Sequence, residues 1–152
     1  MPGATADRPL RISAALWQAV AEQVRAGVPE EICGLLGGVG RQVLMVFPAE
    51  NVAPDRASRY EVDPQALIDA LHELEAWGSE LVAIYHSHPP GVEAVPSAAD
   101  VREARYPGVV HVIIMPDADG TIVSARGFLI EPEGEVREVA LVIGPDEDGT
   151  LP

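Results

Sequence analysis

Two histidines and one carboxylate lie close together near the middle of the chain, and these residue types are the ones that hold a catalytic metal. The stretch reads His86-Ser87-His88-Pro89 and, after a loop rich in proline and glycine, Pro96-Ser97-Ala98-Ala99-Asp100. Two imidazoles and a carboxylate leave one position of a tetrahedral metal open, as in catalytic zinc sites. The pattern predicts that His86, His88 and Asp100 bind zinc, although nitrogen and oxygen ligands also accept other divalent metals.

The apolar segment before the histidines predicts how they are presented. Leu81–Tyr85 is typical of a buried strand, and alternate strand residues point to the same face, with side chains that start about 7 Å apart. Imidazoles at that spacing can converge on one ion. Asp100 would return to them from the first turn of a helix that follows Ser97. Ser97 and Asp100 also match a helix capping box, a purely structural alternative that is compatible with the metal role.

Glu31 is a candidate general base. A carboxylate beside a water at the metal would take a proton from that water and pass it to a leaving amine. The alternative is a solvated edge residue, as expected for its neighbour Glu30. Spacing alone favours this alternative, because only the fold could bring Glu31 to the histidines.

The other chemically active side chains have ordinary interpretations. His72 and His111 are expected to be surface or core histidines, and Cys33 is expected to pack as a small hydrophobe. The chain contains no HExxH, GxSxG or CxxC motif, so zincin, serine-hydrolase and dithiol redox chemistry have no support.

The elements that must position these residues alternate between helix and strand. An amphipathic helix is predicted over Ser13–Ala26, with Ser13 as its N-cap and Leu16, Val20 and Val24 on one face. A second helix begins at Pro64, with a buried stripe of Leu67, Ile68, Leu71 and Leu74, and ends at Trp77-Gly78. A third, short helix runs from Ser97 to about Arg105.

Strands are predicted between and after these helices. Ile32–Leu36 and Val43–Phe47 form a hairpin through a turn at residues 37–40, and residues 48–58 form a loop. The remaining strands are Arg59–Val62, Leu81–Tyr85, Val109–Met115, Ile122–Ile130 and Glu135–Val142, with turns at Asp119-Gly120 and Glu133-Gly134. The pattern predicts an α/β protein with a central sheet flanked by helices, in one domain over residues 1–152, with an acidic, flexible tail from residue 144.

Size, charge and cysteine content narrow the class of protein. The 152 residues are 47% hydrophobic, enough for one core, and the net charge of -14 disfavours nucleic acids and anionic membranes while favouring a basic protein partner or simple solubility. A single cysteine permits no internal disulfide and fits a reducing compartment. No signal-peptide pattern and no membrane-spanning apolar run is found, so a soluble cytoplasmic protein is expected.

With these residues assembled, the chain resembles the JAMM metalloprotease family, also called MPN+ or Mov34, in its small prokaryotic branch. The resemblance covers nearly the whole chain and is carried by Glu31-x-Cys33-Gly34-x-Leu36, Arg59–Pro64 and the His86–Asp100 signature. It implies a curved mixed sheet flanked by helices, similar to cytidine deaminases, and one zinc ion per chain on His86, His88 and Asp100. It also implies that Glu31 activates the water at the metal and that Ser97 donates to the oxyanion.

The activity implied by the resemblance is that of a zinc isopeptidase. Family members cleave the amide bond after the C-terminal Gly-Gly of a ubiquitin-like or sulfur-carrier protein, which releases a protein, a peptide or cysteine. An exposed strand beside the site could pair with such a tail by β-augmentation. Two alternatives remain: a non-catalytic scaffold of the same fold that binds partners, and a zinc deaminase, whose H-x-E and P-C-x-x-C motifs are absent.

Overall fold

One eight-stranded mixed sheet organises residues 8–145, the part of the chain that the computed structural model describes. Three helices accompany it in that range: α1 (Ala14–Gly27), α2 (Pro64–Ala76) and α3 (Ala98–Glu103). The strands are β1 (Leu10–Ser13), β2 (Cys33–Val39), β3 (Gln42–Ala49), β4 (Glu80–Ser87), β5 (Val110–Pro116), β6 (Ile122–Ile130), β7 (Val136–Val139) and β8 (Leu141–Gly144). Their order is β7-β6-β5-β4-β2-β3-β1-β8. Strands β4 and β5 are parallel, as are β1 with β3 and β1 with β8, and the other pairs are antiparallel.

The sheet curves until its two edges meet. The predicted single strand over Glu135–Val142 is wrong: it is two strands, of which β7 pairs with β6 and β8 pairs with β1 at the opposite edge. Only Ala140 separates them, and its carbonyl accepts a hydrogen bond from Leu10 N at 2.8 Å. Because one residue joins opposite edges, the sheet has to be strongly curved. The mixed, curved sheet flanked by helices is therefore confirmed.

Helices cover both faces of the sheet, because strand side chains alternate between them. Helix α1 begins after Ser13, whose Oγ accepts a hydrogen bond from Leu16 N at 3.2 Å, and buries Val20 and Val24 as predicted. These two side chains pack into the larger core. That core also holds Leu10, Ile12, Ile32, Leu36, Val43, Val82, Ala83, Tyr85, Val110, Val112, Ile114, Leu129 and Val139. On the opposite face, Ala70 of α2 packs against Leu35 and Ile84 of the sheet, and these three residues form a second buried cluster.

The predicted buried stripe of α2 is only partly correct. Leu74 is buried and Leu67 is half-buried, but Ile68 and Leu71 are 47% and 39% exposed. The helix instead packs through Ala70 and Leu74. Ala70 faces the sheet and packs with Leu35 and Ile84, whereas the two larger side chains lie on the exposed side of the helix. Apolar spacing could not distinguish these two faces.

The turn predicted at residues 37–40 is also corrected. Gly37 and Gly38 continue β2, and the chain reverses at Gly40-Arg41 instead. Strand β2 bulges at these glycines, and a Cβ on Gly38 would lie 1.9 Å from the carbonyl oxygen of Gln42. The glycine is therefore needed for close strand packing rather than for the turn. The predicted strand over Arg59–Val62 makes only one isolated bridge, between Val62 and Asn51.

Several expectations about the chain ends lie at or beyond the described range. The predicted tail starts at Gly144, which ends β8, whereas residues 146–152 lie outside the described residues. The N-terminal residues 1–7 also lie outside them. Within residues 8–145, no helix is long and apolar enough to cross a membrane. The single domain over residues 1–152 stays a prediction.

We expect Gly34→Ala to destabilise the fold by about 1–3 kcal/mol, the usual effect of overpacking. Gly34 lies opposite Tyr85 across β2 and β4, and a Cβ there would lie 2.2 Å from the Tyr85 hydroxyl oxygen. That hydroxyl donates to Gln23 Oε1 of α1, and Gln23 Nε2 donates to the carbonyl of Cys33 at 2.8 Å. The added methyl group would thus disturb the contact between α1 and β2. Urea unfolding measures the change.

The matched control is Gly144→Ala, also in a strand. Apart from its two chain neighbours, no atom of the described residues lies within 4 Å of the Cβ that this substitution adds, so we expect a change below about 0.5 kcal/mol. Equal stability of the two variants would contradict the role assigned to Gly34.

Candidate active site

The site forms where β2 begins and β4 ends. These strands are antiparallel neighbours, and Cys33 lies directly opposite His86. Just before β2, Ile32 accepts a hydrogen bond from Ser87 N at 2.9 Å and donates one to Ser87 Oγ at 2.9 Å. This pairing brings Glu31 beside the histidine segment. The fold thereby supplies the proximity that sequence spacing could not establish.

The two predicted histidine ligands converge on the predicted carboxylate. His86 lies in β4 and is 1% exposed, and His88 follows the strand and is 5% exposed. His86 Nε2 lies 3.3 Å from Asp100 Oδ1, and His88 Nε2 lies 3.1 Å from Asp100 Oδ2. One ligand atom from each residue lies within 4.8 Å of the others. The three side chains therefore form a group that can bind one metal ion.

The surroundings of the two imidazoles fit a metal. His88 Nδ1 lies 2.7 Å from the carbonyl oxygen of Glu93, which orients Nε2 toward Asp100 in the way that metal-binding histidines are commonly held. The ring of His86 stacks on Tyr60, with centroids 4.1 Å apart and planes 15° apart. Both His86 nitrogens are buried, and neither makes a well-aligned hydrogen bond among the described residues, although Nε2 lies 3.3 Å from Asp100 Oδ1. Such groups are rare in folded proteins, and a metal at Nε2 would use its lone pair.

Asp100 is positioned by the start of α3. Ser97 N donates to Asp100 Oδ2 at 2.9 Å, and Asp100 N donates to Ser97 Oγ at 3.0 Å, so the capping box is present. The preceding loop is anchored by buried Ala94, which packs with Ile113 and Phe128. The Ser97 oxygen accepts the hydrogen bond from Asp100 N, and its hydroxyl proton has no acceptor among the described residues, so the proton is available to a ligand.

Protonation states at the three groups largely suit a cation. Burial raises the pKa of Asp100, but its contacts with His86 and His88 outweigh burial and hold the pKa well below its usual range. Burial lowers the pKa of His86. Burial also opposes the charged form of His88, yet Asp100 and the Glu93 carbonyl raise its pKa overall. A metal would therefore meet an ionised carboxylate and a neutral His86, and it would compete with a proton for His88 Nε2.

Glu31 and Ser97 line the same cavity as the metal-binding group. This cavity measures about 200 Å³ and is lined by Glu31, His88, Ser97 and Asp100 among others. Glu31 is only 4% exposed, and burial raises its pKa to about 7, with Asp100 and Asp55 adding to the rise and His88 opposing it. A carboxylate with that pKa can both accept and return a proton near neutral pH. Glu30, in contrast, is exposed and forms a 3.2 Å ion pair with Arg56.

The remaining candidates stay outside the metal-binding group. His72 is exposed on α2. His111 is buried in β5, where burial lowers its pKa to about 4. Cys33 is fully buried, and burial raises the pKa of its thiol to about 12. Its packing as a small hydrophobe agrees with this environment.

Sequence reasoning missed three residues that build the site. Tyr60 provides the ring beneath His86, Ser87 ties the histidine strand to Ile32, and Asn51 binds the backbone of Glu31. Tyr60 lies within a segment that carried the family resemblance, which was the available signal. Ser87 likewise lies within the His86–Asp100 signature, whereas no pattern marks Asn51, because its partners lie far away in the chain.

A larger groove adjoins the site. It measures about 710 Å³, runs along residues 59–62 and reaches Asp100 and the end of α3. Glu61 N donates to Asn51 Oδ1, and the Glu61 carbonyl accepts a hydrogen bond from Val52 N. The N–H and C=O of Tyr60 have no hydrogen-bond partner in the described part of the chain. This segment, called the Tyr60 edge below, can therefore pair with an extended peptide.

Comparison with known sequences identifies relatives of the chain. Residues 13–127 match the profile of the family described as prokaryotic homologs of the JAB domain. A Thermus thermophilus protein named as a probable TtuB-protein conjugate cleaving protease is 46% identical over 115 residues, which are 76% of this chain and 70% of that one. A desampylase of Haloferax volcanii is 41% identical over 91 residues, or 59% of this chain and 65% of the relative.

Solved structures share the fold of the chain. The solution structure of a Desulfitobacterium hafniense protein superposes with a TM-score of 0.78 at 28% identity, covering 90% of this chain and 93% of the other. A JAB1/MPN domain protein from Archaeoglobus fulgidus shares the fold, with a TM-score of 0.56 at 20% identity over 87% of this chain and 98% of its own.

Proposed function

The chain belongs to the family of prokaryotic JAB domain homologues, and from this premise we propose that it cleaves conjugates of a ubiquitin-like or sulfur-carrier protein with the help of one zinc ion. Membership makes it a hydrolase of the JAMM type. The proposed reaction is hydrolysis of the amide bond after the carrier's C-terminal Gly-Gly. The relatives named for cleavage of TtuB conjugates and for desampylation support this substrate class.

One observation carries the proposal: two members of the metal-binding group, His88 and Asp100, line one cavity with the buried Glu31 carboxylate and the Ser97 hydroxyl. His86, His88 and Asp100 would hold zinc, which when bound would polarise the scissile carbonyl and make a water molecule more acidic. The three donors leave room for that chemistry because they are fewer than the four of a structural site.

The chain's own residues would then move the protons. A carboxylate oxygen of Glu31 accepts a proton as the water oxygen attacks the carbonyl carbon. The C–N bond breaks, and Glu31 returns the proton to the leaving nitrogen. Ser97 Oγ donates a hydrogen bond to the carbonyl oxygen as negative charge develops there. Burial of Glu31 favours both halves of this transfer by holding its pKa near neutrality.

The Tyr60 edge is the proposed docking place for the carrier's tail. An extended tail that pairs with Tyr60 would lie along the groove that reaches Asp100. Glycines suit the last two positions, because residues without side chains fit closely beside the metal.

We expect Ser97→Ala to lower kcat by about 100- to 1000-fold, the usual effect of removing an oxyanion donor. The substitution also removes a helix N-cap, which destabilises a protein by about 1 kcal/mol. Ser13→Ala is the matched control, because Ser13 caps α1 in the same way and lies outside the site cavity. We expect Ser13→Ala and Ser97→Ala to lose the same amount of stability, and we expect Ser13→Ala to keep the kcat of the parent chain. A Ser97→Ala variant with wild-type kcat would contradict the donor role.

The overall proposal is tested with a linear fusion of TtuB to a reporter protein, incubated with the zinc-loaded chain. We expect cleavage at the junction, about one zinc per chain by elemental analysis, and loss of cleavage after chelation. Mass spectrometry of the products locates the broken bond.

A non-catalytic scaffold remains the alternative that this experiment separates. A scaffold would bind the fusion without cleaving it and would need no stoichiometric zinc. No observation in the described structure favours it, since the complete ligand group and Glu31 are present together.

A further inference from the structure

Asn51 lies just after β3 and is 7% exposed. Its side chain makes four hydrogen bonds, all to backbone groups. Nδ2 donates to the carbonyls of Glu31 and Arg59, at 2.9 and 3.0 Å, and Oδ1 accepts from the N–H groups of Ala53 and Glu61, each at 3.0 Å. These bonds use both donors and both lone pairs of the amide.

Only an amide fits this environment. Two carbonyls face one end of the Asn51 side chain and two N–H groups face the other. An isosteric aspartate could accept from the N–H groups but would direct a second acceptor oxygen at the two carbonyls. An apolar side chain would leave buried backbone groups unpaired, which is unfavourable.

The bonded groups connect the two parts of the site that must act together. Glu31 N donates to the carbonyl of Arg56 at 2.8 Å, and the Glu31 carbonyl accepts from Asn51 Nδ2. The loop that contains Asn51 and Arg56 thus holds both the N–H and the C=O of Glu31. The Glu31 carboxylate has no hydrogen-bond partner of its own among residues 8–145. Its location is therefore set by its backbone. Through Arg59 and Glu61, the same amide fixes the residues on either side of Tyr60.

We propose that Asn51 is a positioning residue for Glu31, which it holds at a fixed place relative to the metal-binding group and the Tyr60 edge. The inference rests on the proposed role of Glu31 as the base. Proton transfer is sensitive to placement, and a shift of about 1 Å by a distant change can lower a rate by about 100-fold.

The test compares Asn51→Asp with Tyr85→Phe in the zinc-loaded chain, using the TtuB–reporter fusion. Tyr85→Phe also removes a buried side-chain hydrogen bond, but on the opposite face of the sheet. We expect Asn51→Asp to lower kcat by about 100-fold with zinc still bound, whereas Tyr85→Phe, with a comparable loss of stability, keeps a normal kcat.

A double-mutant cycle separates positioning from a general structural effect. In the Glu31→Gln background, we expect Asn51→Asp to change the residual kcat by less than about 2-fold, because the transfer it supports has already been removed. A further 100-fold loss there would contradict the proposal. If Glu31→Gln alone were as active as the parent chain, the proposed function of Glu31 would fail, and this inference with it.

Amide hydrogen exchange tests the inference without turnover. We expect the Glu31 amide to exchange about 10-fold faster in Asn51→Asp than in Tyr85→Phe, because the loop that holds it is released. If Asn51→Asp does not fold, Asn51→Ser serves instead, since a serine hydroxyl can still accept from Ala53 N. Unchanged exchange at Glu31 together with a normal kcat would refute the positioning role.

Discussion

Glu31→Gln is expected to lower kcat by about 100- to 10,000-fold, the range that general acid–base catalysis contributes. Glutamine keeps the shape of the side chain but cannot accept the proton of the attacking water. Zinc binding should persist, because Glu31 is not one of the three clustered ligands. The rate is measured with the TtuB–reporter fusion at saturating zinc.

Two comparisons make the Glu31 result specific. Glu30→Gln neutralises the adjacent carboxylate, which is exposed and paired with Arg56, and should leave kcat unchanged. The metal-free Glu31→Gln protein should be more stable than the parent at pH 8. Burial raises the pKa of Glu31 to about 7, above its ordinary 4.5, so as the pH rises Glu31 loses its proton more readily in the unfolded chain than in the folded one, which destabilises the fold.

The contribution of Glu31 to the free energy of unfolding of the metal-free chain should therefore fall as the pH rises from about 4.5 to about 7, and the difference between parent and variant isolates it from the buried histidines. Each pKa unit is about 1.4 kcal/mol, so the substitution should recover up to about 3 kcal/mol above pH 7 and almost nothing near pH 4. Urea unfolding at the two pH values measures this difference. If the difference in free energy of unfolding between Glu31→Gln and the parent were the same near pH 4 and above pH 7, the buried environment of Glu31 would be contradicted.

His88→Ala should reduce zinc affinity by more than about 100-fold, because changes outside the ligand set already lower it by about 10- to 100-fold. Without bound zinc, cleavage of the fusion should fall to background. Zinc should also cease to raise the melting temperature, since a ligand stabilises a fold only through the state that binds it. Competition with a chromophoric chelator measures the affinity directly.

His72→Ala is the control for loss of a histidine, because His72 is exposed on α2 and lies outside the metal-binding group. It should bind zinc and cleave the fusion like the parent chain. A His88→Ala protein that still holds one tightly bound zinc and remains active would exclude the proposed centre. Removal of zinc from the parent by chelation, followed by its return, should abolish and then restore cleavage.

The sequence predicted the clustering of the three proposed ligands because that clustering is local. His86, His88 and Asp100 lie within one strand end, one loop and one helix start, so residue type and spacing suffice to predict their convergence. Glu31 differs, since its proximity depends on the pairing of β2 with β4 across more than fifty residues of chain. Only the family resemblance pointed to it.

The errors in the fold have the same long-range origin. Nothing in the residues around Ala140 marks the change from one sheet edge to the other, because that change follows from the curvature of the whole sheet. Ile68 and Leu71 have the same apolar character as Leu74, yet they lie on the exposed side of α2, away from the face through which Ala70 packs on the sheet. Sequence periodicity reports the type of an element more reliably than the surface it packs against.

The meeting of β7 and β8 at Ala140 has a consequence for self-association. Both terminal strands of the sheet are only four residues long, and short edge strands recruit foreign chains poorly. In contrast, the N–H and C=O of Tyr60, which are unpaired among the described residues, border the groove that reaches Asp100. The short sheet margins thus offer an extended chain little to pair with, whereas the Tyr60 edge is where we propose that the carrier's tail is bound and cut.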